Sequence, residues 1–129
     1  MFALHVHLVF VTKYRRGVLT PEALDWLRVH FTKVCAMQGA LLEACDGEED
    51  HTHILVGFPP TVSVAQLVNA LKGSSSRLLR QEFPKIAKRY YKGVLWTPSY
   101  FAASTGGATL EKVKQYVESQ REAALSSPA

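Results

Sequence analysis

The chain has 129 residues, of which 47% are hydrophobic and 20% charged, as in ordinary globular proteins. Its apolar runs are far shorter than the roughly 20 residues that span a bilayer, and its start lacks the basic and apolar regions of a signal peptide. From these features we expect no segment that spans a membrane. We expect one cytoplasmic domain over residues 1–129 with a loose tail at about 125–129. Cys35 and Cys45 lack metal-ligand spacing, which predicts buried reduced thiols.

The charges are unevenly distributed along the chain. The net charge is +4, which favours a polyanionic partner. Basic side chains concentrate at residues 72–92 and 13–16, whereas acidic side chains collect at residues 43–50. This segregation is typical of a phosphate-binding surface next to a cation-attracting site. A solvated basic face without a ligand is the alternative.

Capping signals and alternation of apolar residues define the predicted elements. Thr20 is a helix N-cap followed by Pro21, and Gly39 supplies a C-terminal stop. Ser63 and Gln66 form a capping box for a second helix. The elements in chain order are strand Leu4–Thr12, helix from Pro21, strand 40–45, acidic turn 46–50, strand 51–58, helix 64 to about 82, strand 96–104, and helix Thr109 to about Ala124.

The order of these elements predicts the fold class. Strand, helix, strand, strand, helix, strand is the βαββαβ arrangement of a ferredoxin-like α+β fold. We therefore expect an antiparallel sheet with helices on one face, plus an additional C-terminal helix. In this topology the first and third strands are adjacent at the centre of the sheet. The pair His5 and His7 could then lie beside the pair His51 and His53.

Two histidines one residue apart open the third strand. Successive strand side chains point to opposite faces, so His51 and His53 share a face while Thr52 turns away. Neutral imidazoles on a rigid strand are suitable ligands for a divalent metal. Such a pair also occurs by chance, so the pair alone is a weak motif. We expect Asp50 and its acidic neighbours to form a solvated turn, with outer-shell metal ligation as the alternative.

The last helix carries two polar residues on or beside an apolar stripe. At 100° per residue, Gln120 falls within the stripe and Tyr116 at its edge, one turn apart. A buried amide without partners costs roughly 1–3 kcal/mol, so Gln120 is expected to meet a polar group such as a metal. A tyrosine at such an edge usually belongs to the core with its hydroxyl reaching water. The chemical hypothesis is a cation held by His51, His53 and Gln120, with Tyr116 as the nucleophile.

Five segments together resemble one known family. The segments HLVFVTKYRRGVL, DHTHILVG, LKGSSSRLLRQEFP, GVLWTPSYFAAS and VKQYVESQ occur here in that order. They look like the HUH single-tyrosine transposases of the smallest bacterial and archaeal insertion sequences. The resemblance covers about residues 7–120.

The resemblance implies residue roles and partners. In the family, the equivalents of His51, His53 and Gln120 bind Mg²⁺ or Mn²⁺. The equivalent of Tyr116 attacks single-stranded DNA, keeps a 5′-phosphotyrosine and frees a 3′-hydroxyl. Family members are homodimers whose active sites combine the histidines of one subunit with the tyrosine helix of the other. They recognise subterminal DNA hairpins.

The DNA contacts are predicted from charge and placement. Phosphates and unpaired bases are gripped by cations and aromatic rings, and the residues chosen are Lys13, Tyr14, Arg15, Lys72 and Arg77. This chain departs from the family at Thr52, where a bulky aliphatic residue is usual, and we expect a cost in stability. Two other functions stay open: a DNA-binding relative without cleavage, and a metal-dependent hydrolase that activates water.

Overall fold

The fold is built on a four-stranded antiparallel sheet with the strand order β2-β3-β1-β4. The computed structural model describes residues 2, 4–90, 94–104, 112 and 114–120. Its elements are β1 Leu4–Val11, a 3₁₀ turn Lys13–Arg15, α1 Pro21–Met37, β2 Leu41–Glu48, β3 His51–Phe58, α2 Val64–Glu82, α3 Pro84–Ala87 and β4 Phe101–Ser104. The central pairing of β1 with β3 confirms the predicted ferredoxin-like α+β fold. No helix in these described ranges is long and apolar enough to cross a membrane.

The predicted helix caps are present. The side chain of Thr20 accepts a hydrogen bond from the backbone N–H of Ala23, and Gly39 follows α1 with a φ of 74°, a left-handed conformation that glycine adopts readily. At α2, Ser63 and Gln66 make both bonds of the capping box. Each cap satisfies N–H groups or ends a helix where the sequence predicts it.

Two predicted strand boundaries are wrong. β2 continues to Glu48, three residues beyond the prediction, because Asp46 and Glu48 pair with the histidines of β3. β4 begins only at Phe101; Trp96 makes an isolated bridge to Thr12. Pro98 between them has no N–H to donate to a ladder. Pairing with a neighbouring strand therefore decides both boundaries.

The helices α1 and α2 cover one face of the sheet. Phe10 and Ile54 project from β1 and β3 into a core that contains Leu27 of α1 and Leu67 of α2, all fully buried. Cys35 is buried in the same core, where burial raises the pKa of its thiol to about 11. This layer carries most of the apolar burial that stabilises the fold.

A second, smaller cluster lies on the opposite face. Val9 and Val11 alternate with the core residues of β1 and pack with the buried Val117, beside Phe101 and Tyr116. Residues 112 and 114–120 are helical, and we call them the C-terminal helix. Both ends of the helix predicted from Thr109 to about Ala124, and the predicted tail, lie outside the described residues. The cluster places the C-terminal helix on the sheet face away from α1 and α2.

Candidate active site

The histidine pair of β3 lies on the same sheet face as the C-terminal helix. The ladder aligns His53 with Val9 and His51 with Val11, and side chains of aligned strand residues share a face. Val9 and Val11 are the residues that contact the C-terminal helix. Thr52 points to the main core and is buried. The alternation predicted from the sequence is thus realised.

Asp50 fixes the orientation of the first histidine. Its Oδ1 lies 2.9 Å from His51 Nδ1, and its Oδ2 accepts a hydrogen bond of 2.7 Å from Arg15 Nε. Asp50 is 9% exposed, so the expectation of a solvated acidic residue is wrong at this position. When His51 donates Nδ1–H to Asp50, its Nε2 lone pair remains available, as in metal sites where a carboxylate orients the ligand imidazole.

His7 contacts the second histidine. His53 Nε2 and His7 Nδ1 are 3.1 Å apart, as the adjacency of β1 and β3 suggested. Burial lowers the pKa of His53, and the neighbouring His7 lowers it further. The neutral imidazole, which is the metal-binding form, is therefore favoured. If His53 donates Nε2–H to His7, its Nδ1 lone pair is free. His5 instead faces Glu43, with 2.9 Å between Nε2 and Oε1.

The donor atoms at this end of β3 fit a divalent cation. Ligand atoms of Glu48, Asp50 and His51 lie within 4.8 Å of one another. The predicted ligand His53 is not in this group. Both carboxylate oxygens of Asp50 already contact His51 and Arg15. Imidazole nitrogen together with carboxylate oxygen suits ions such as Mn²⁺, while Mg²⁺ relies more on oxygen. Gln120 is half-buried on the C-terminal helix, and its amide forms no hydrogen bond within the described part of the chain.

Tyr116 is half-buried at the edge of the smaller cluster. Its ring centroid is 5.7 Å from that of Phe101, and its hydroxyl lies 3.0 Å from Ser99 Oγ. The segment with Ser99 is held by Lys72, whose Nζ donates to the carbonyls of Thr97 at 2.6 Å and Ser99 at 3.1 Å. The aromatic ring of Tyr116 is thus packed, while its hydroxyl oxygen is held by a polar partner.

Comparison with known proteins decides the family. The model of the family described as "Transposase IS200 like" matches residues 1–120. This chain belongs to that family. The ISDra2 transposase TnpA of Deinococcus radiodurans is 30% identical over 122 residues, covering 95% of this chain and 87% of that protein. The transposase of insertion element IS200 from Salmonella typhimurium is 29% identical over 116 residues, covering 90% and 76%.

Solved structures agree with this assignment. A Deinococcus radiodurans R1 crystal structure assigned as a transposase superposes with a TM-score of 0.82 at 32% identity, over 93% of this chain and 92% of that one. A REP-associated tyrosine transposase bound to a REP hairpin has a TM-score of 0.58 at 13% identity, over 92% and 64%. This second likeness concerns the fold. The chain is therefore a DNA transposase of the IS200-like family.

The predicted DNA contacts of the transposase fall in two regions. Tyr14 is exposed in the turn after β1, with Lys13 Nζ 5.4 Å from its ring centroid. Arg77 is exposed on α2 and lines a groove of about 480 Å³ with Arg80 and Trp96. Lys72 lines the same groove, although its ammonium group contacts backbone carbonyls. Lys72, Arg77 and Arg80 of α2 thus line one groove. Their contacts with DNA stay predictions.

Several residues of the transposase site were not identified from its sequence. Ser99 lies in the segment GVLWTPSYFAAS, but nothing in that segment specifies a bond to a tyrosine 17 residues later. Arg80 lies one turn after Arg77, and this spacing was the available signal for a shared groove. The contact between Arg15 and Asp50 had no signal, because the two residues are 35 positions apart.

Proposed function

We propose that this transposase is a metal-dependent enzyme that cuts and rejoins single-stranded DNA through a covalent bond to Tyr116. The observation that carries the proposal is the shared sheet face. The oriented pair His51 and His53 projects from the face on which the helix with Tyr116 packs. This arrangement supports the proposal, because the candidate metal ligands and the candidate nucleophile lie on one face of the sheet in a protein of a transposase family.

His51, His53 and Gln120 are the proposed ligands of Mg²⁺ or Mn²⁺. When bound, such an ion polarises a phosphodiester and offsets its negative charge. Asp50 keeps the His51 ring in the orientation that exposes Nε2. His7 contacts His53 at Nε2, which leaves Nδ1 of His53 as the candidate ligand atom.

Tyr116 is the proposed nucleophile. Its phenol oxygen forms a bond to phosphorus while the bond from phosphorus to the 3′ oxygen breaks. The phenol proton passes to solvent, and the departing 3′ oxygen takes a proton to become a hydroxyl. The product is a 5′-phosphotyrosine, and attack on it by another 3′-hydroxyl rejoins the strands because a phosphoester bond is retained throughout.

The proposed substrate is single-stranded DNA with a subterminal hairpin. The groove that contains Arg77 and Arg80 offers cations, which bind the phosphates of DNA. The REP-associated protein with the same fold is bound to a REP hairpin, so the fold is compatible with such a partner. Lys13 and Tyr14 would contact DNA at the end of β1.

We also propose a homodimer in which each tyrosine helix serves the histidines of the partner subunit. Tyr116 pairs with Ser99, and within the described residues neither His51 nor His53 is its hydrogen-bond partner. Mixing His51→Ala protein with Tyr116→Phe protein would restore cleavage in one of the two sites of each mixed dimer if the sites are shared. Sites built within one subunit would stay inactive in the mixture.

The central experiment uses a labelled single-stranded oligonucleotide that carries an insertion-sequence end, with Mn²⁺ or Mg²⁺. We expect a protein-linked DNA band that requires the metal and disappears in Tyr116→Phe. Tyr100→Phe is the matched control, because Tyr100 is an exposed tyrosine that follows Ser99 in the chain. Cleavage without an adduct would support a hydrolase instead, and hairpin binding without cleavage would support a DNA-binding relative.

A further inference from the structure

The turn after β1 has a backbone conformation that needs support. Tyr14 and Arg15 have φ values of 63° and 51°, and two successive non-glycine residues rarely adopt positive φ. The turn is tied down by hydrogen bonds from Arg15 N to Thr12 O at 2.8 Å and from Thr12 N to Asp50 O at 2.9 Å. The strained turn therefore holds the Arg15 side chain at a defined position beside β3.

The guanidinium of Arg15 joins two parts of the site. Its Nε donates to Asp50 Oδ2 at 2.7 Å, and its Nη2 lies 3.3 Å from Glu118 Oε1. The other oxygen of Asp50 contacts His51. The side chains of Arg15, Asp50 and His51 are 22%, 12% and 14% exposed. A chain of contacts thus runs from the C-terminal helix to the histidine strand.

From these contacts we propose that Arg15 is a positioning residue that sets the C-terminal helix lying on this sheet face against the histidine strand. In the proposed homodimer the helix on this face is the partner subunit's, so Arg15 positions that helix in the shared site. Glu118 lies two residues from both Tyr116 and Gln120, so holding Glu118 restrains the helix on which both stand. A guanidinium suits this role because its donors point in fixed directions toward two carboxylates at once. This role rests on the proposed function, and in it Arg15 contacts side chains of the protein and not DNA.

Contact with a DNA phosphate is the competing role for Arg15. The two roles differ in what Glu118 does. If Arg15 binds phosphate, removing the Glu118 charge strengthens DNA binding or leaves it unchanged. If Arg15 positions the helix, loss of either partner loosens the same contact, and loss of both adds little further.

The test is a double-mutant cycle in the full chain with Arg15→Gln, Glu118→Gln and both changes together. Hydrogen exchange of the amides at 114–120 is measured without DNA or metal. The rate of adduct formation at saturating DNA, and the DNA dissociation constant, are measured separately. Arg15→Lys keeps the positive charge but removes the guanidinium, whose donors reach two carboxylates at once. Thermal unfolding shows whether each variant is folded.

We expect each single change to speed exchange at 114–120 about tenfold and to slow adduct formation about tenfold. We expect the dissociation constant for DNA to change less than twofold, the double variant to match the singles, and Arg15→Lys to resemble Arg15→Gln. Unchanged exchange in Glu118→Gln, or purely additive effects, would overturn the positioning role. Should Arg15→Gln fail to fold, Arg15→Lys replaces it in the cycle with Glu118→Gln, and purely additive effects again overturn the positioning role.

These measurements distinguish failure of the proposed function from failure of the positioning role. If the wild-type protein forms no adduct with Tyr116, the transesterification proposal is wrong. The exchange measurement still answers whether Arg15 and Glu118 are coupled, because it needs neither DNA nor cleavage. A coupled helix in a protein without adduct would retain the positioning role and reject the chemistry.

Discussion

Replacing Thr52 by valine is expected to stabilise the protein. Thr52 is 1% exposed, and its Oγ1 is buried without a hydrogen-bond partner in the structure as described. An unpaired buried hydroxyl costs about 1–3 kcal/mol, whereas the valine methyl group fills the same space without that cost. We expect the free energy of unfolding to rise by about 1–2 kcal/mol, and at this chain length each kcal/mol raises Tm by about 3–5 °C.

Thr12 provides a matched control. It is equally buried, but its Oγ1 contacts the carbonyl oxygens of Arg16 at 2.7 Å and Asp50 at 3.2 Å. Thr12→Val is therefore expected to lower the free energy of unfolding by about 1–2 kcal/mol. Urea unfolding followed by circular dichroism measures both variants. A loss of stability in Thr52→Val, or the same sign for both changes, would refute the reasoning.

Two further changes separate the roles of the α2 cations. Lys72→Met is expected to lower the free energy of unfolding by about 1–3 kcal/mol, because the carbonyls of Thr97 and Ser99 lose their donor; urea unfolding measures it. Arg77→Gln is expected to leave stability nearly unchanged and to reduce the slope of log Kd against log salt for single-stranded DNA by about 0.7. Arg28→Gln, an exposed cation on α1, is the control for both. A lower salt slope in Lys72→Met with unchanged stability would show that Lys72 acts on DNA and does not stabilise the segment with Thr97 and Ser99.

Local sequence signals account for much of the fold. The caps at Thr20 and Ser63 depend on residues within three positions of each other, so their pattern can be recognised without knowing the fold. Strand alternation likewise determines that His51 and His53 share a face, since neighbouring side chains point to opposite sides of any strand. The element order then predicts the β1–β3 pairing.

The tertiary structure alone decided the partners of those residues. Asp50 was expected in solvent, but Arg15, 35 positions away, and the adjacent His51 enclose its carboxylate. Lys72 was predicted to contact DNA from its charge, yet the fold places backbone carbonyls 25 and 27 positions later within its reach.

Sequence alone determined which side chains can act together on one strand or helix, because that geometry repeats every few residues. The neighbours of each side chain depend on strand order and helix packing. The predicted strand order already suggested the contact of His7 with His53. The contact of Tyr116 with Ser99 depends on how the C-terminal helix packs, and no local pattern encodes it.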